Sequence, residues 1–332
     1  MQKIFYIILF LGLAFLASCG TPNEPESIIG GDGGYKIVSK FITSGYAQDV
    51  VVKDTLAFVT QGEGGLMIIN IFDRRAPKEL ITLYKELKGY SNKVANKDSL
   101  IFISAGAFGV SVVDASDLFN PVKATNISIR PAKGFDVMGD FVYTATGEYG
   151  FQISKIVDIN QLDPRGVTST PGFAQAVCVT SDTNRILVAC GEMGFSIFDI
   201  SHIIDGYGTG TFMGWVDTPG YAEDVAAHPT LPSAFLACGT GGFFIVDYSD
   251  SANIKVVGSY STGGYAKEVI YKNNKAYVTT GARGLQIFDV SNLSSPVLIG
   301  TVETELAMGL AVDDKYVYVA DESEGLVIIS IP

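Results

Sequence analysis

The feature that most limits what this chain can fold into is internal repetition. A Gly followed by an apolar residue opens a short strand seven times, at Gly65-Leu66, Gly109-Val110, Gly150-Phe151, Gly194-Phe195, Gly242-Phe243, Gly284-Leu285 and Gly325-Leu326. In six copies another Gly stands three residues earlier, at Gly62, Gly106, Gly147, Gly191, Gly239 and Gly281, and the seventh has Glu322 there. An upstream anchor keeps the same step: Tyr46-Ala47, Tyr90-Ser91, Pro131-Ala132, Phe173-Ala174, Tyr221-Ala222, Tyr265-Ala266 and Leu306-Ala307. Two anchors in register over a period of about 40–48 residues mark a repeat architecture in which each unit buries its faces on its neighbours.

Within a copy the pattern reads as four short strands. In the sixth, Lys267–Tyr271, Ala276–Thr280, Leu285–Asp289 and Val297–Glu303 are β-branched and aromatic runs, divided by Asn273-Asn274, by Gly281–Gly284 and by a Ser/Asn/Pro stretch. No window carries a long 3.6-residue apolar period, so helix content near zero is expected. Hydrophobic residues at 47% and charged residues at 17% allow a large core and argue against disorder. Four antiparallel strands in each of seven copies predict an all-β, seven-bladed β-propeller over residues 35–332. The seventh copy ends after its third strand. Residues 36–43 read like the fourth strand of the fifth copy, residues 255–262, so the N-terminal strand is expected to close the ring.

The copies resemble the LVIVD repeat, as in Phe243-Phe244-Ile245-Val246-Asp247 and Leu285-Gln286-Ile287-Phe288-Asp289, together with the Gly-Tyr-Ala elements and Lys275-Ala276-Tyr277-Val278. The resemblance covers residues 35–332 and implies the propeller architecture. It also implies a bacterial cell-envelope lipoprotein, and it says little about activity. Asn70 in the first copy and Lys155 in the third replace the motif Asp, and the fourth copy has an insertion over Ser201–Gly214.

The N-terminus reads as a targeting segment. Lys3 is followed by the apolar run Ile4–Leu16, too short for a comfortable bilayer span. Leu16-Ala17-Ser18-Cys19 resembles the bacterial lipobox, in which the Cys carries lipid. The expected organisation is a lipoprotein signal peptide over 1–18, a Pro/Gly-rich lipid-anchored tether over 19–34 and the propeller after it. Gly20 rather than Asp follows Cys19, which leans towards the outer membrane. Cys178, Cys190 and Cys238 remain, and they read as small buried residues rather than a disulfide framework.

A net charge of -12 argues against nucleic acid and against charge-driven docking on an anionic membrane. In propellers the loops from fourth to first strand and from second to third strand share one end of the ring. There they would gather Tyr46, Tyr90, Phe173, Tyr221 and Tyr265, with Asp49, Lys93, Asp224 and Glu268 just behind them at the starts of the innermost strands. The turns add Glu63, Glu148, Glu192, Arg283 and Glu324. One reading is a binding face with aromatic platforms and central carboxylates. The other is packing, with aromatics wedged between blades and carboxylates accepting backbone N–H groups in turns.

No cofactor is indicated, although three acids near one channel could hold a cation. His202 and His228 fall in loops of the opposite end, so a histidine-based metal site or triad at the mouth has no histidine. Asp54-Thr55-Leu56, Asp98-Ser99-Leu100 and Asp250-Ser251-Ala252 resemble the O-glycosylation signal of Bacteroidetes lipoproteins, but turn composition alone is the favoured explanation. The expected function is a non-catalytic binding or scaffold module, a monomeric propeller offering one face to a protein or glycan. The alternative is a carboxylate-based lyase or hydrolase acting on a glycan.

Overall fold

A computed structural model describes residues 31–83, 87–127, 131–204 and 206–332. The expected signal peptide and Cys19 fall on residues 1–30, outside the described residues. Seven four-stranded antiparallel sheets form the blades. Blade 1 is β2 (Asp49–Lys53), β3 (Leu56–Thr60), β4 (Leu66–Asn70) and β5 (Lys78–Leu83). Blade 2 is β6 (Val94–Lys97), β7 (Leu100–Ser104), β8 (Val110–Asp114) and β9 (Val122–Ile127). Blade 3 is β10 (Phe135–Met138), β11 (Phe141–Ala145), β12 (Phe151–Asp158) and β13 (Gln161–Thr168). Blade 4 is β14 (Ala176–Val179), β15 (Arg185–Ala189), β16 (Phe195–Asp199) and β17 (Thr211–Val216). Blade 5 is β18 (Asp224–Ala227), β19 (Ser233–Ala237), β20 (Phe243–Asp247) and β21 (Lys255–Tyr260). Blade 6 is β22 (Glu268–Lys272), β23 (Lys275–Thr279), β24 (Leu285–Asp289) and β25 (Val297–Val302).

Blade 7 is built from both ends of the chain. Its inner strands are β26 (Ala307–Val312), β27 (Tyr316–Asp321) and β28 (Gly325–Ser330), and β1 (Lys36–Phe41) pairs antiparallel with β28 as the outer strand. The expected closure is what the fold contains. Seven separate hydrophobic clusters fill the seven gaps between neighbouring blades, including the gap between blades 7 and 1, where Ile328 and Tyr318 meet Val59 and Ile69. The two central strands of a blade are buried on both faces because each sheet is covered from both sides. In β24, Leu285 and Ile287 face blade 7, while Phe288 stacks on Phe243 of blade 5 at 5.0 Å between ring centroids.

The motif Asp ends the third strand of a blade. Its carboxylate accepts the N–H two residues on, as in Asp247 from Ser249 (2.8 Å) and Asp289 from Ser291 (2.8 Å). Asn70 keeps that role, accepting from Phe72 N–H at 2.9 Å. Where Lys155 replaces the Asp, β12 runs on and Asp158 accepts from Asn160 N–H instead (2.7 Å). In the hairpins between first and second strands, Asp54, Asp98, Asn273 and Asn274 hold positive φ, which short polar side chains tolerate.

Two boundaries differ from the sequence reading. The fourth-copy insertion contributes the four-residue helix α1 (Ser201–Ile204), but β17 begins at Thr211, so the extra loop ends before Gly214. Residues 31–34, read as part of the tether, form a turn against blade 6: Thr301 N–H donates to Gly31 O (3.1 Å) and Tyr35 N–H to Asp32 O (2.9 Å). Among the described residues no helix is long and apolar enough to cross a membrane.

Candidate functional site: the channel mouth

The seven innermost strands run side by side around the axis: β2 next to β6, then β10, β14, β18, β22, β26 and back to β2. Their first residues form two tiers at the mouth. The upper tier is Gln48, Asn92, Lys133, Gln175, Glu223, Lys267 and Met308, and with Lys93 and Glu268 it lines a cavity of about 110 Å³. The next residue along each strand gives the lower tier: Asp49, Lys93, Gly134, Ala176, Asp224, Glu268 and Gly309. Three of these seven carry little or no side chain, which leaves room for four charged ones.

Those four are the charged residues expected from sequence, and the fold brings them together. Lys93 pairs with Glu268, and its Nζ lies 4.0 Å from Asp49 Oδ2. Burial alone would lower the Lys93 pKa, but the charges of Asp49, Glu268 and Asp224 outweigh it and push the pKa up. Burial raises the Asp49 carboxyl. It pushes Asp224 up to about 7, against the partial relief given by Lys93. Glu268 is pushed up to about 7 by burial and then by the Asp49 charge. The ammonium of Lys93 thus occupies the position in which a bound cation was conceivable. Among the described residues, no group of three or more His, Cys, Asp or Glu side chains is arranged to hold a metal ion.

The carboxylates also hold the ring together. Asp49 Oδ2 accepts Val94 N–H of blade 2 (2.9 Å), Asp224 Oδ2 accepts Val269 N–H of blade 6 (3.0 Å), and Glu268 accepts Leu310 N–H of blade 7. These are clamps between neighbouring inner strands, not the turn contacts expected from sequence. Asp136, which sequence reading did not single out, makes the same clamp one pleat deeper, accepting Val179 N–H of blade 4 at 2.9 Å. Below the charged tier, Asp49 and Glu268 border a second cavity of about 390 Å³ lined mainly by apolar residues, most of them Val.

The aromatics pack between blades, as one of the two readings expected, and keep their outer edges exposed. The rings of Tyr90, Phe173, Tyr221 and Tyr265 lie over Gly62, Gly147, Gly191 and Gly239 of the preceding blade, each within about 3 Å of where a Cβ would stand. Those glycines have φ between +52° and +67°, so both the backbone and the overlying ring demand Gly there. The outer edges stay open: Tyr46 is 65% exposed, Tyr90 43% and Tyr265 42%. Glu223 joins the tiers by accepting from Tyr265 OH and from Lys267 Nζ (2.8 Å), and Lys133 Nζ sits 5.3 Å from the centre of the Phe173 ring. Glu223, Lys133 and Lys267 were also missed from sequence, although their shared position, directly after the Ala of the upstream anchor, marks them.

The histidines do not reach the mouth. His202 Nε2 is 2.9 Å from Thr209 O beside α1, and His228 Nδ1 accepts Thr230 and Leu231 N–H in the β18–β19 turn. Cys178, Cys190 and Cys238 are free.

The LVIVD repeat family matches residues 44–82, 219–262, 263–304 and 306–331, which correspond to blades 1, 5 and 6 and the C-terminal three strands of blade 7. Among solved structures, a computationally designed protein, Ika8, is similar at a TM-score of 0.63 over 90% of this chain and 100% of that one, at 10% identity, a likeness of fold alone. No curated protein matches the chain in sequence. Four matched repeats on a ring of seven blades are consistent with an LVIVD-repeat β-propeller family.

Proposed function

We propose that this protein is a non-catalytic binding or scaffold module of the bacterial cell envelope. In this reading lipid on Cys19 holds it at the membrane, and the channel-mouth face engages a protein or glycan. The observation that carries the reading is the mouth itself, where open tyrosine edges surround a small charged cavity. At about 110 Å³ that cavity is well below the roughly 300–1,000 Å³ that enclose a small molecule, so it suits a partner laid across the face. Tyr side chains are also among the groups that anchor interfaces.

A glycan-cleaving enzyme is the second reading. It draws on Asp224 and Glu268, two carboxyls pushed up to about 7, a value suited to proton transfer near neutral pH. Against it, both carboxylates are committed to backbone clamps.

The test is crosslinked capture in the native envelope with the wild-type chain and with Asp49→Asn/Asp224→Asn/Glu268→Gln, which keeps an acceptor oxygen at each clamp. The triple variant should capture several-fold less of the wild-type partner while staying folded. Equal capture would remove the mouth from the account. In parallel, Cys19→Ala should move the protein into a soluble fraction, and retention with membranes would count against the anchor.

A further inference from the structure

Away from the axis, on the same end of the ring, a groove of about 820 Å³ runs along the rim of blade 6. Its size is that of a ligand site. Ten buried side-chain N or O atoms have no hydrogen-bond partner among the described residues, and four of them line this groove: Gln286 Oε1, Thr301 Oγ1, Thr304 Oγ1 and Glu324 Oε2. Gln286, Thr301 and Thr304 are each more than nine-tenths buried. Buried polar atoms are normally satisfied, so a cluster of orphans around one opening points to a ligand that satisfies them.

The groove lies where the repeat departs from its pattern. In three other loops the equivalent Thr hydroxyl donates to a Gly carbonyl two residues on: Thr43 to Gly45, Thr170 to Gly172 and Thr262 to Gly264. The blade 6–7 loop reads Thr304-Glu305-Leu306, one residue shorter, with neither the Gly nor the aromatic. Thr304 therefore loses its internal acceptor.

The chemistry of the lining selects among ligands. Gln286 Nε2 spends one N–H on Thr262 O (2.9 Å), which leaves the side chain its acceptor and a second N–H. Glu324 Oε1 takes Lys40, leaving Oε2 open. The four residues that carry the orphaned atoms line the groove, and Arg283, with no ion pair among the described residues, adds donors at the edge. An inorganic anion would bring only acceptors and meet Glu303, Glu305 and Glu324. A bare cation would meet Arg283 and Lys40. A neutral ligand with neighbouring hydroxyls can donate to Gln286 and Glu324 and accept from Arg283 and the threonines, with the half-buried Tyr260 ring as an apolar wall. We propose that this groove is a binding site for a neutral saccharide of one or two sugar units. This deepens the binding-module reading and rests on it.

The experiment is titration of the full chain in detergent with glucose, galactose, mannose, N-acetylglucosamine and their disaccharides, followed by ligand-observed NMR. Glucuronate and inorganic phosphate serve as anionic probes. At least one neutral sugar should bind, and Gln286→Ala and Arg283→Ala should each weaken it at least tenfold, with phosphate giving no signal. Arg283 lies on a turn, so its variant reports on binding even where Gln286→Ala fails to fold. Absence of binding across the neutral panel, tighter binding of the anions, or unchanged affinity in Arg283→Ala would overturn the proposal. A loss confined to these sugar titrations, with mouth-dependent envelope capture intact, would leave the binding-module reading standing.

Discussion

Blades 1 to 6 and blade 7 solve the same packing problem differently. Each of the first six is a continuous run of four strands, and an isolated bridge joins its second turn to the blade that follows, from Gly62 with Ser91 through Gly281 with Ala307. Blade 7 has Glu322 in place of the turn Gly, Leu306 in place of the aromatic wedge, and an outer strand taken from the far end of the chain. Among the described residues no such bridge ties it to blade 1. The seam relies on longer-range contacts. Ser39 Oγ donates to Arg74 O (2.6 Å), Arg74 Nε donates to Tyr318 OH (3.2 Å), and β26 runs close beside β2. Of the ten orphaned polar atoms, four gather beside the closing blade in one groove, and the other six are spread over the rest of the ring.

The largest test of that difference is to remove the closing strand. Deleting residues 20–43 takes away β1 and exposes the edge of β28. The lost ladder, at about 1 kcal/mol per hydrogen bond, and the half-buried apolar side chains approach the roughly 5–15 kcal/mol of a whole domain. Aggregation or loss of the cooperative melt is expected. Deleting residues 20–30 only, which spares the turn packed on blade 6, should melt like the full chain. Similar melts for the two truncations would contradict the special role of blade 7.

A smaller effect is expected at the inner seam. A Cβ on Gly309 would stand 2.6 Å from Asp49 Cα, so the glycine allows β26 to approach β2. Gly309→Val should cost about 1–3 kcal/mol by overpacking, read as a lower denaturant midpoint. A neutral result would mean the seam is looser than the structure has it.

The smallest effect is pH-dependent and separates the mouth from the rim. Asp224 and Glu268 hold their protons more tightly in the folded chain, with pKa values of about 7, than in the unfolded chain at about 4. The unfolded state therefore releases protons first, and stability from these groups falls as pH rises from about 4 to about 7, then levels off. The melting temperature should drop by several degrees between pH 5 and pH 8 in the wild type. In Asp224→Asn/Glu268→Gln that slope should flatten. An unchanged slope in the variant would assign the dependence to other groups.

The ring, the blade boundaries and the closing strand were legible in sequence because each repeat specifies its own turns through Gly, Asn and Asp at positive φ and its own strands through apolar alternation. The charged mouth was legible because Asp49, Lys93, Asp224 and Glu268 hold one repeat position. Their partners were not, since each carboxylate reaches a backbone N–H some 45 residues away, as from Asp49 to Val94, in a blade with no matching side chain to mark it. Asp136 escaped because it clamps one pleat deeper. The docking of residues 31–34 escaped because Gly-rich composition suits a tether and a tight turn alike. The groove depends on a one-residue shortening beside Leu306, which shows in sequence as a departure, while its orphaned atoms show only in the folded neighbourhood.

The closure of the ring by β1 is tested most directly by a crosslink. Lys36 and Ser330 are register partners across β1 and β28, and Cα atoms of paired strands lie about 4.5–5.5 Å apart, within disulfide reach. Lys36→Cys/Ser330→Cys in the full chain should oxidise to a bond within one molecule, giving a monomer whose N- and C-terminal peptides are joined after proteolysis. Failure to form that bond, or a bond formed only between two chains, would contradict a ring closed by its own N-terminal strand.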